Sequence, residues 1–184
     1  MNEAELVERS KRGDVDAFNQ LVEAYQQQVY NLCLRMVGNL HDAEDVTQAA
    51  FLLAFKGVGG FRGGSFRAWL FRIAANACRD HLRLLRRRPT SPLDELPVHL
   101  EWDRHATSPE EYAARRELQA SIMQALAALP ADQRLAVTLR DVMGLEYGEI
   151  AQATASSLGT VKSRINRGRT RLRQLLSDQL ELSP

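Results

Sequence analysis

Apolar residues recur every three or four positions along most of this chain, and no stretch alternates strictly between apolar and polar residues. The first spacing is that of one face of an α-helix, whereas strict alternation is typical of a half-buried strand. We therefore predict an all-α protein. In the first 88 residues the spacing predicts helices over residues 3–12, 15–37, 43–56 and 66–87. Asp14 and Asp42 precede apolar-periodic runs and are predicted N-caps.

A proline-rich stretch divides the chain. Four of the six prolines lie between positions 89 and 109, where no apolar stripe is sustained. This composition is typical of a linker. We predict two small helical domains, residues 1–88 and 108–184, joined by a flexible linker over residues 89–107. Each domain is long enough for a small helical core.

The last third of the chain predicts a helix-turn-helix. A short amphipathic helix over residues 147–154 is followed by three small residues and then by a second helix. At about 100° per residue, the apolar positions of the second helix fall in one narrow stripe, which we expect to be buried. These positions are Val161, Ile165, Gly168 and Leu172. The order of helix, tight turn and helix is that of a DNA-reading motif.

The second of these helices is strongly cationic, since residues 160–173 hold six basic side chains and no acidic one. With the apolar stripe buried, cations line both flanks and small polar groups lie between them, which suits phosphates and base edges in a major groove. The alternative, a merely solvated face, normally includes acidic partners at i,i+4. We therefore predict contacts with duplex DNA from Thr160, Lys162, Ser163, Arg164, Arg167 and Arg171.

A second cationic track runs along the predicted helix over residues 66–87. The loop before it, residues 57–65, contains five glycines and is predicted not to be helical. Aromatic rings beside a positive groove hold unpaired bases by stacking. We therefore predict a surface for single-stranded nucleic acid, formed by Phe61, Arg62, Phe66, Arg72, Asn76, Arg79 and Arg83.

The predicted helix over residues 43–56 has two stripes. Val46, Ala50 and Leu53 form one, which we expect to face the core. The other combines acidic and aromatic side chains, and its members are Glu44, Gln48, Phe51 and Phe55. This second stripe either receives another protein or packs against a neighbouring helix of the same domain.

Composition limits the class of protein. The 184 residues are 45% hydrophobic and 26% charged, as in an ordinary globular protein. The net charge of +1 conceals segregation, because residues 62–88 contain eight arginines and one acid. No apolar run is long enough to span a membrane, and the first residues do not resemble a secretory signal. We expect no membrane insertion and a cytoplasmic location.

The two cysteines are predicted to be small packing residues. A zinc site built from Cys33, His41, Cys78 and His81 is an alternative, but helical Cys and His at unrelated spacing more often pack than ligate. No nucleotide-binding glycine motif or nucleophile–base arrangement is present. We predict no catalytic residues, no metal and no cofactor.

Three segments in order, residues 41–55, 61–88 and 129–172, resemble the extracytoplasmic-function sigma factors, the small bacterial RNA polymerase sigma subunits. The resemblance implies two helical domains that correspond to the second and fourth conserved regions of larger sigma factors. It also implies binding to core RNA polymerase, through the β′ clamp helices and the β subunit, to promoter DNA and to an anti-sigma factor.

The resemblance also assigns roles to residues. It implies that the β′ clamp helices are bound by Asp42, Glu44, Asp45 and Gln48. The stretch from Phe61 to Arg83 is similar to the part that captures the −10 element as a single strand with a flipped base. The residues from Thr160 onwards match the helix that reads the −35 element as a duplex.

Ala155 departs from the family, which usually has glycine at this turn. A left-handed backbone there would carry a strain of about 1 kcal/mol. An autonomous helix-turn-helix regulator is the alternative function, but it leaves the glycine-rich loop and the two-striped helix unexplained.

Overall fold

The computed structural model describes residues 2–86 and 108–181, and within these ranges every regular element is a helix. The prediction of an all-α protein is confirmed. The predicted linker, residues 89–107, lies outside the described residues. Below, residues 2–86 are called the N-terminal half and residues 108–181 the C-terminal half. In neither half is any helix long and apolar enough to cross a membrane.

The N-terminal half consists of four α-helices: α1 (Glu3–Lys11), α2 (Val15–Val37), α3 (Leu40–Gly57) and α4 (Phe66–Leu85). Asp14 caps α2 as predicted, since its side chain accepts a hydrogen bond from the Ala17 amide at 3.0 Å. The prediction for Asp42 is wrong. Asn39 is the N-cap of α3 and its side chain accepts from the Asp42 amide at 2.7 Å, so the helix begins at Leu40.

Helices α2, α3 and α4 pack together around the core of this half. The buried stripe of α3 is formed by Ala43, Val46, Ala50 and Ala54. The prediction that Leu53 faces the core is wrong, because its side chain is 52% exposed. Leu53 lies at the edge of the stripe, and the small Ala54 occupies the centre instead.

The glycine-rich loop is shorter than predicted. Helix α3 extends to Gly57, and residues Val58–Gly60 form a 3₁₀ turn in which Val58 is buried against the core. Gly63 and Gly64 both have φ of +92°, a left-handed conformation that residues with a side chain rarely adopt. These two residues allow the chain to turn into α4.

The C-terminal half contains α5 (Pro109–Ala127), α6 (Ala131–Val137), a π-helical turn (Thr138–Val142), α7 (Tyr147–Thr154) and α8 (Leu158–Glu181). Helix α8 packs against α5, α6 and α7. The two halves also contact each other, because α7 packs against α4 and α2 touches α5 and α6.

Candidate nucleic-acid interface

Helices α7 and α8 form the helix-turn-helix that the sequence predicts. A capping box fixes the start of α7, in which the Glu149 carboxylate accepts from the Glu146 amide at 3.0 Å. At the other end, Ala155 adopts the left-handed conformation, with φ 49° and ψ 45°. The Ser156 amide then donates to the Ala151 carbonyl at 3.0 Å, which closes the helix end.

The buried stripe of α8 agrees with the prediction. Val161 and Ile165 are buried, and Leu172 packs against the same core. Gly168 lies directly against α6, where an added Cβ would meet Val137 Cγ2 at 2.6 Å. The absence of a side chain therefore sets the distance between α8 and α6.

The opposite face of α8 carries the predicted duplex-contacting residues. The side chains that the structure leaves exposed are Thr160, Lys162, Arg167 and Arg171, and Ser163 is half-buried. Arg164 is different, since it donates to Ser156 Oγ at 2.8 Å and to Asp132 Oδ2 at 2.7 Å. Three of the four predicted cations, Lys162, Arg167 and Arg171, have no ion pair within the described residues, whereas Arg164 is engaged within the protein.

Sequence reasoning missed a second arginine of α8 with an acidic partner. Arg169 donates through Nε to Asp141 Oδ2 at 3.0 Å, and its Nη2 donates to the other carboxylate oxygen. The hydrogen bonds that Arg169 donates to Asp141 raise the pKa of Arg169 above its ordinary value. Asp141 lies in the π-helical turn, 28 residues before Arg169, so no i,i+4 comparison finds it.

On α4, the polar members of the predicted single-strand surface lie where the periodicity places them. Arg62, Arg72, Asn76 and Arg83 are exposed. Arg79 is only 26% exposed, and it donates to Asn76 Oδ1 at 3.3 Å and to Asp132 Oδ1 at 3.4 Å. Arg79 is therefore the residue of this track that contacts the C-terminal half.

The prediction that Phe61 and Phe66 form an exposed aromatic surface is wrong. Phe61 is 8% exposed and Phe66 is 2% exposed. Their rings lie 5.8 Å apart edge to face, and each ring centroid is 5.4 Å from that of Trp69. Tyr25 of α2 adds a fourth ring, 5.9 Å from Phe66. We call Tyr25, Phe61, Phe66 and Trp69 the aromatic cluster.

Burial of the cluster has a simple cause. A Phe ring has a large apolar area. Removing that area from water stabilises the loop in its packed position against the helical core. The left-handed glycines at 63 and 64 allow the loop to bring Phe61 back onto α4. The aromatic cluster thus holds the loop against the start of α4.

The predicted polymerase surface on α3 is divided. Glu44, Asp45 and Gln48 are exposed, but the Asp42 side chain is 20% exposed and lies 3.0 Å from His81 Nε2 of α4. Burial acts to raise the pKa of Asp42, but the hydrogen bond from Asn39 and the neighbouring His81 outweigh it and leave the pKa below its usual value. Asp42 therefore links α3 to α4.

The aromatic stripe on α3 packs in part against a neighbouring helix, as one of the two interpretations expects, and binding of another protein stays a prediction. Phe55 packs edge to face on Phe18 of α2, with centroids 5.1 Å apart, yet it remains 39% exposed. Phe51 is half-buried. An open, mostly apolar groove of about 550 Å³ lies between α2 and α3 beside these rings.

The two cysteines lie deep between α2 and α4. Both are free thiols with no exposed surface, and Cys33 and Cys78 share a hydrogen bond. That bond and burial raise the pKa of Cys78 well above its ordinary value. Within residues 2–86 and 108–181, no three His, Cys, Asp or Glu side chains are grouped to hold a metal ion.

Comparison with known proteins matches a segment of each half to the same protein family. Residues 21–88 match Sigma-70 region 2, and residues 119–172 match Sigma-70, region 4. The chain is 41% identical to the RNA polymerase sigma-H factor of Pseudomonas aeruginosa, over 96% of this chain and 94% of that protein. It is 35% identical to the ECF RNA polymerase sigma factor SigW of Bacillus subtilis, over 94% and 95% of the two chains.

The fold also resembles solved structures. The structure of CnrH in complex with the cytosolic domain of CnrY aligns with a TM-score of 0.71 at 27% identity. The alignment covers 94% of this chain and 96% of that one. Helix α4 lies within the first matched segment, and α8 lies within the second as far as residue 172.

Proposed function

Because the chain belongs to the extracytoplasmic-function group of the sigma-70 family, the RNA polymerase sigma factors, we propose a division of its DNA contacts between the two halves. The N-terminal half holds the −10 element as a single strand, and the C-terminal half reads the −35 element as a duplex. The two cationic surfaces, on α4 and α8, carry this assignment. No step in it involves covalent chemistry.

For the −35 element, α8 supplies a rigid cylinder with cations on both flanks. Lys162 lies on one flank and Arg167 and Arg171 on the other, where they reach phosphates. Ser163 lies between the flanks, nearer the groove floor, where a hydroxyl group contacts base edges, and Thr160 lies on the flank of Arg167 and Arg171. Arg164 joins them when it leaves Asp132.

For the −10 element, the exposed face of α4 supplies Arg72, Asn76 and Arg83, and the preceding loop supplies Arg62. Cations follow a single-stranded backbone, and the Asn76 amide offers a donor and an acceptor to an unpaired base. Phe61 and Phe66 are buried, so we assign them a positioning role, in which the aromatic cluster holds the loop and the start of α4.

For core polymerase, we propose that Glu44, Asp45 and Gln48 contact the β′ clamp helices, with Asp42 holding α3 in place through His81. The three side chains are exposed on one helix beside the apolar groove that Phe51 and Phe55 flank. Acidic groups beside apolar surface are typical of an interface rim and core. The β subunit is the second proposed polymerase contact.

We also propose an anti-sigma factor as a partner. The solved relative CnrH is in complex with the cytosolic domain of CnrY, and 94% of this chain aligns with it. The exposed apolar side chains Leu52 and Phe55 on α3 offer such a protein a contact area.

The decisive experiment is run-off transcription with purified core RNA polymerase on a library of promoter fragments. We expect the chain to direct initiation at a defined subset of templates, from which the −35 and −10 sequences follow. Polymerase that starts no more selectively with the chain than without it would contradict the proposal. Duplex binding without any initiation would instead favour an autonomous regulator.

Two substitutions separate the two DNA contacts. Arg167→Ala should weaken binding to the −35 duplex and lower the slope of log K against log salt by about 0.9, the loss of one phosphate contact. Arg12→Ala, at an exposed arginine of the N-terminal half, removes the same charge and should leave the slope unchanged. Equal slopes for both variants would show that Arg167 does not contact DNA.

Asn76→Ala should leave binding to core polymerase intact and reduce initiation at a cognate promoter. Initiation should recover on a template whose −10 region is already unpaired if Asn76 acts only in capturing the open strand. Wild-type initiation by this variant on duplex templates would remove Asn76 from the proposed contacts.

A further inference from the structure

The chain has two cysteines, and the fold brings both to the same place. Cys33 belongs to α2 and Cys78 to α4, so they are far apart in the sequence. Both thiols are free, and neither has exposed surface. They share a hydrogen bond inside the core, where α2 packs against α4. The proposed contacts with DNA and polymerase use neither thiol, so the chemistry of this pair is unassigned.

The hydrogen bond makes the two thiols chemically unequal. The Cys78 thiol donates to Cys33, and this bond lowers the pKa of Cys33 below its ordinary value although burial opposes the shift. The same bond and burial raise the pKa of Cys78. A thiolate is the nucleophile in thiol oxidation, and a second thiol beside it converts the first product to a disulfide. Cys33 is therefore the attacking sulfur and Cys78 the resolving one.

Burial selects the class of oxidant. Thiol–disulfide exchange requires the attacking sulfur to touch a sulfur of the reagent, and a bulky disulfide such as oxidised glutathione has no access to a fully buried Cys33. Hydrogen peroxide is small and uncharged, and local opening of packed helices is enough to admit it. The pair is therefore matched to small peroxides.

We propose that Cys33 and Cys78 form a dithiol which hydrogen peroxide oxidises to a disulfide, and that this disulfide lowers the capture of the −10 strand by α4. In the first step the Cys33 thiolate attacks one oxygen of the peroxide. The O–O bond breaks, Cys33 becomes a sulfenic acid, and the departing hydroxide takes the proton of Cys78 to form water.

The second step forms the bond between the helices. Cys78 Sγ attacks Cys33 Sγ, the S–O bond breaks, and the departing hydroxide takes up the proton that Cys33 released when it ionised. Both thiols are oxidised to one disulfide, and one peroxide is reduced to water. An added thiol reductant reverses the change by exchange once the helices open.

The effect on DNA follows from the position of Cys78 in α4. Asn76 lies two residues before it and Arg79 directly after it, and both belong to the proposed −10 surface. A covalent bond holds two sulfur atoms closer together than a hydrogen bond does, so α4 is drawn towards α2. Asn76 and Arg79 move with the helix and lose their alignment with the strand. This part of the proposal rests on the proposed function.

The first test detects the disulfide directly. The reduced full chain is freed of reductant and treated with hydrogen peroxide, and its intact mass and its maleimide-reactive thiols after denaturation are measured. We expect a monomer that has lost two hydrogen atoms and both reactive thiols, and that regains both with dithiothreitol. In Cys78→Ala, which lacks the resolving sulfur, Cys33 should gain oxygen instead. Thiols that stay reactive, or that gain oxygen in the wild-type chain, would overturn the proposal.

The second test measures the effect on initiation. Reduced, oxidised and re-reduced chains, all freed of peroxide, are compared in run-off transcription with untreated core polymerase. We expect oxidation to lower initiation about three- to tenfold and re-reduction to restore it. Binding to a −35 duplex should not change, because both cysteines lie in the N-terminal half. Equal initiation by the reduced and oxidised chains would overturn the regulatory role.

The double variant Cys33→Ala with Cys78→Ala is the matched control. Peroxide also oxidises methionine, of which the chain has four, and the double variant reports that damage alone. Its initiation should be the same before and after peroxide. If the variant does not fold, the re-reduced wild-type chain replaces it, because dithiothreitol restores thiols and not methionine. The proposed function fails separately, when the reduced chain directs no initiation although the disulfide forms.

Discussion

The two cationic helices α4 and α8 each carry several arginines, but they are held in the structure in different ways. In α8, a narrow buried stripe leaves polar and cationic residues on most of the circumference, and Gly168 brings the helix close to α6. In α4, the polar edge is narrow, and it stands beside a loop held by four aromatic rings. A rigid cylinder suits the regular groove of a duplex, whereas a loop on an aromatic base suits an irregular single strand.

This contrast predicts that the N-terminal surface depends on ring burial. Phe66→Ala should lower the free energy of unfolding by about 3–5 kcal/mol, because it removes a fully buried ring from the aromatic cluster. Phe55→Ala, at a ring that is 39% exposed, should cost much less. Urea unfolding of both variants provides the measurement. Similar losses would mean that the cluster has no special role in the N-terminal half.

The C-terminal surface depends instead on the absence of a side chain. Gly168→Ala should destabilise the C-terminal half by about 1–3 kcal/mol, because the new methyl group would lie 2.6 Å from Val137 Cγ2. Gly148→Ala, in α7 with nothing within 4 Å of the added Cβ, is the matched control and should not destabilise. The double variant Val137→Ala with Gly168→Ala should recover part of the loss. Urea melts in which Gly168→Ala matches Gly148→Ala would show that α8 shifts freely.

The smallest expected effect concerns the turn between α7 and α8. Ala155→Gly should stabilise the protein by about 1 kcal/mol, because Ala155 has φ of 49° and glycine adopts this conformation without strain. Ala151→Gly, in the middle of α7, should destabilise by about 1 kcal/mol. The melting temperatures of the two variants should therefore shift in opposite directions. A lower melting temperature for both would show that Ala155 does not carry the backbone strain.

Local periodicity accounts for what the sequence predicted well. The bounds of α2 agree with the prediction at both ends, and the buried stripe of α8 is the predicted one. The bounds of α2 and the buried stripe of α8 both depend on residues three or four positions apart. The apolar repeat along the sequence therefore predicts them directly. The left-handed turn at Ala155 was raised only by the family resemblance, in which glycine usually occupies this position.

The features that the sequence did not predict depend on distant residues. Arg164 meets Asp132 across 32 residues, and Arg79 meets the same carboxylate across 53. Burial of Phe61 requires the rings of Phe66 and Trp69, and the loop conformation that brings them together is not periodic. An apolar-periodic run follows Asp42, as it follows an N-cap. The N-cap of α3 is nevertheless Asn39, three residues earlier.

Ser65 and Glu149 form one of several contacts between the halves, beside the packing of α7 on α4. Ser65 Oγ accepts from the Ala68 amide while its hydroxyl donates to Glu149 Oε1, and Glu149 Oε2 accepts from the Glu146 amide. Only the middle bond of this row crosses between the halves. Each half therefore satisfies the terminal amide of its own helix without the other half. The first turns of α4 and α7 are thus each capped from within their own half, and the bond between Ser65 and Glu149 is added to caps that are already complete.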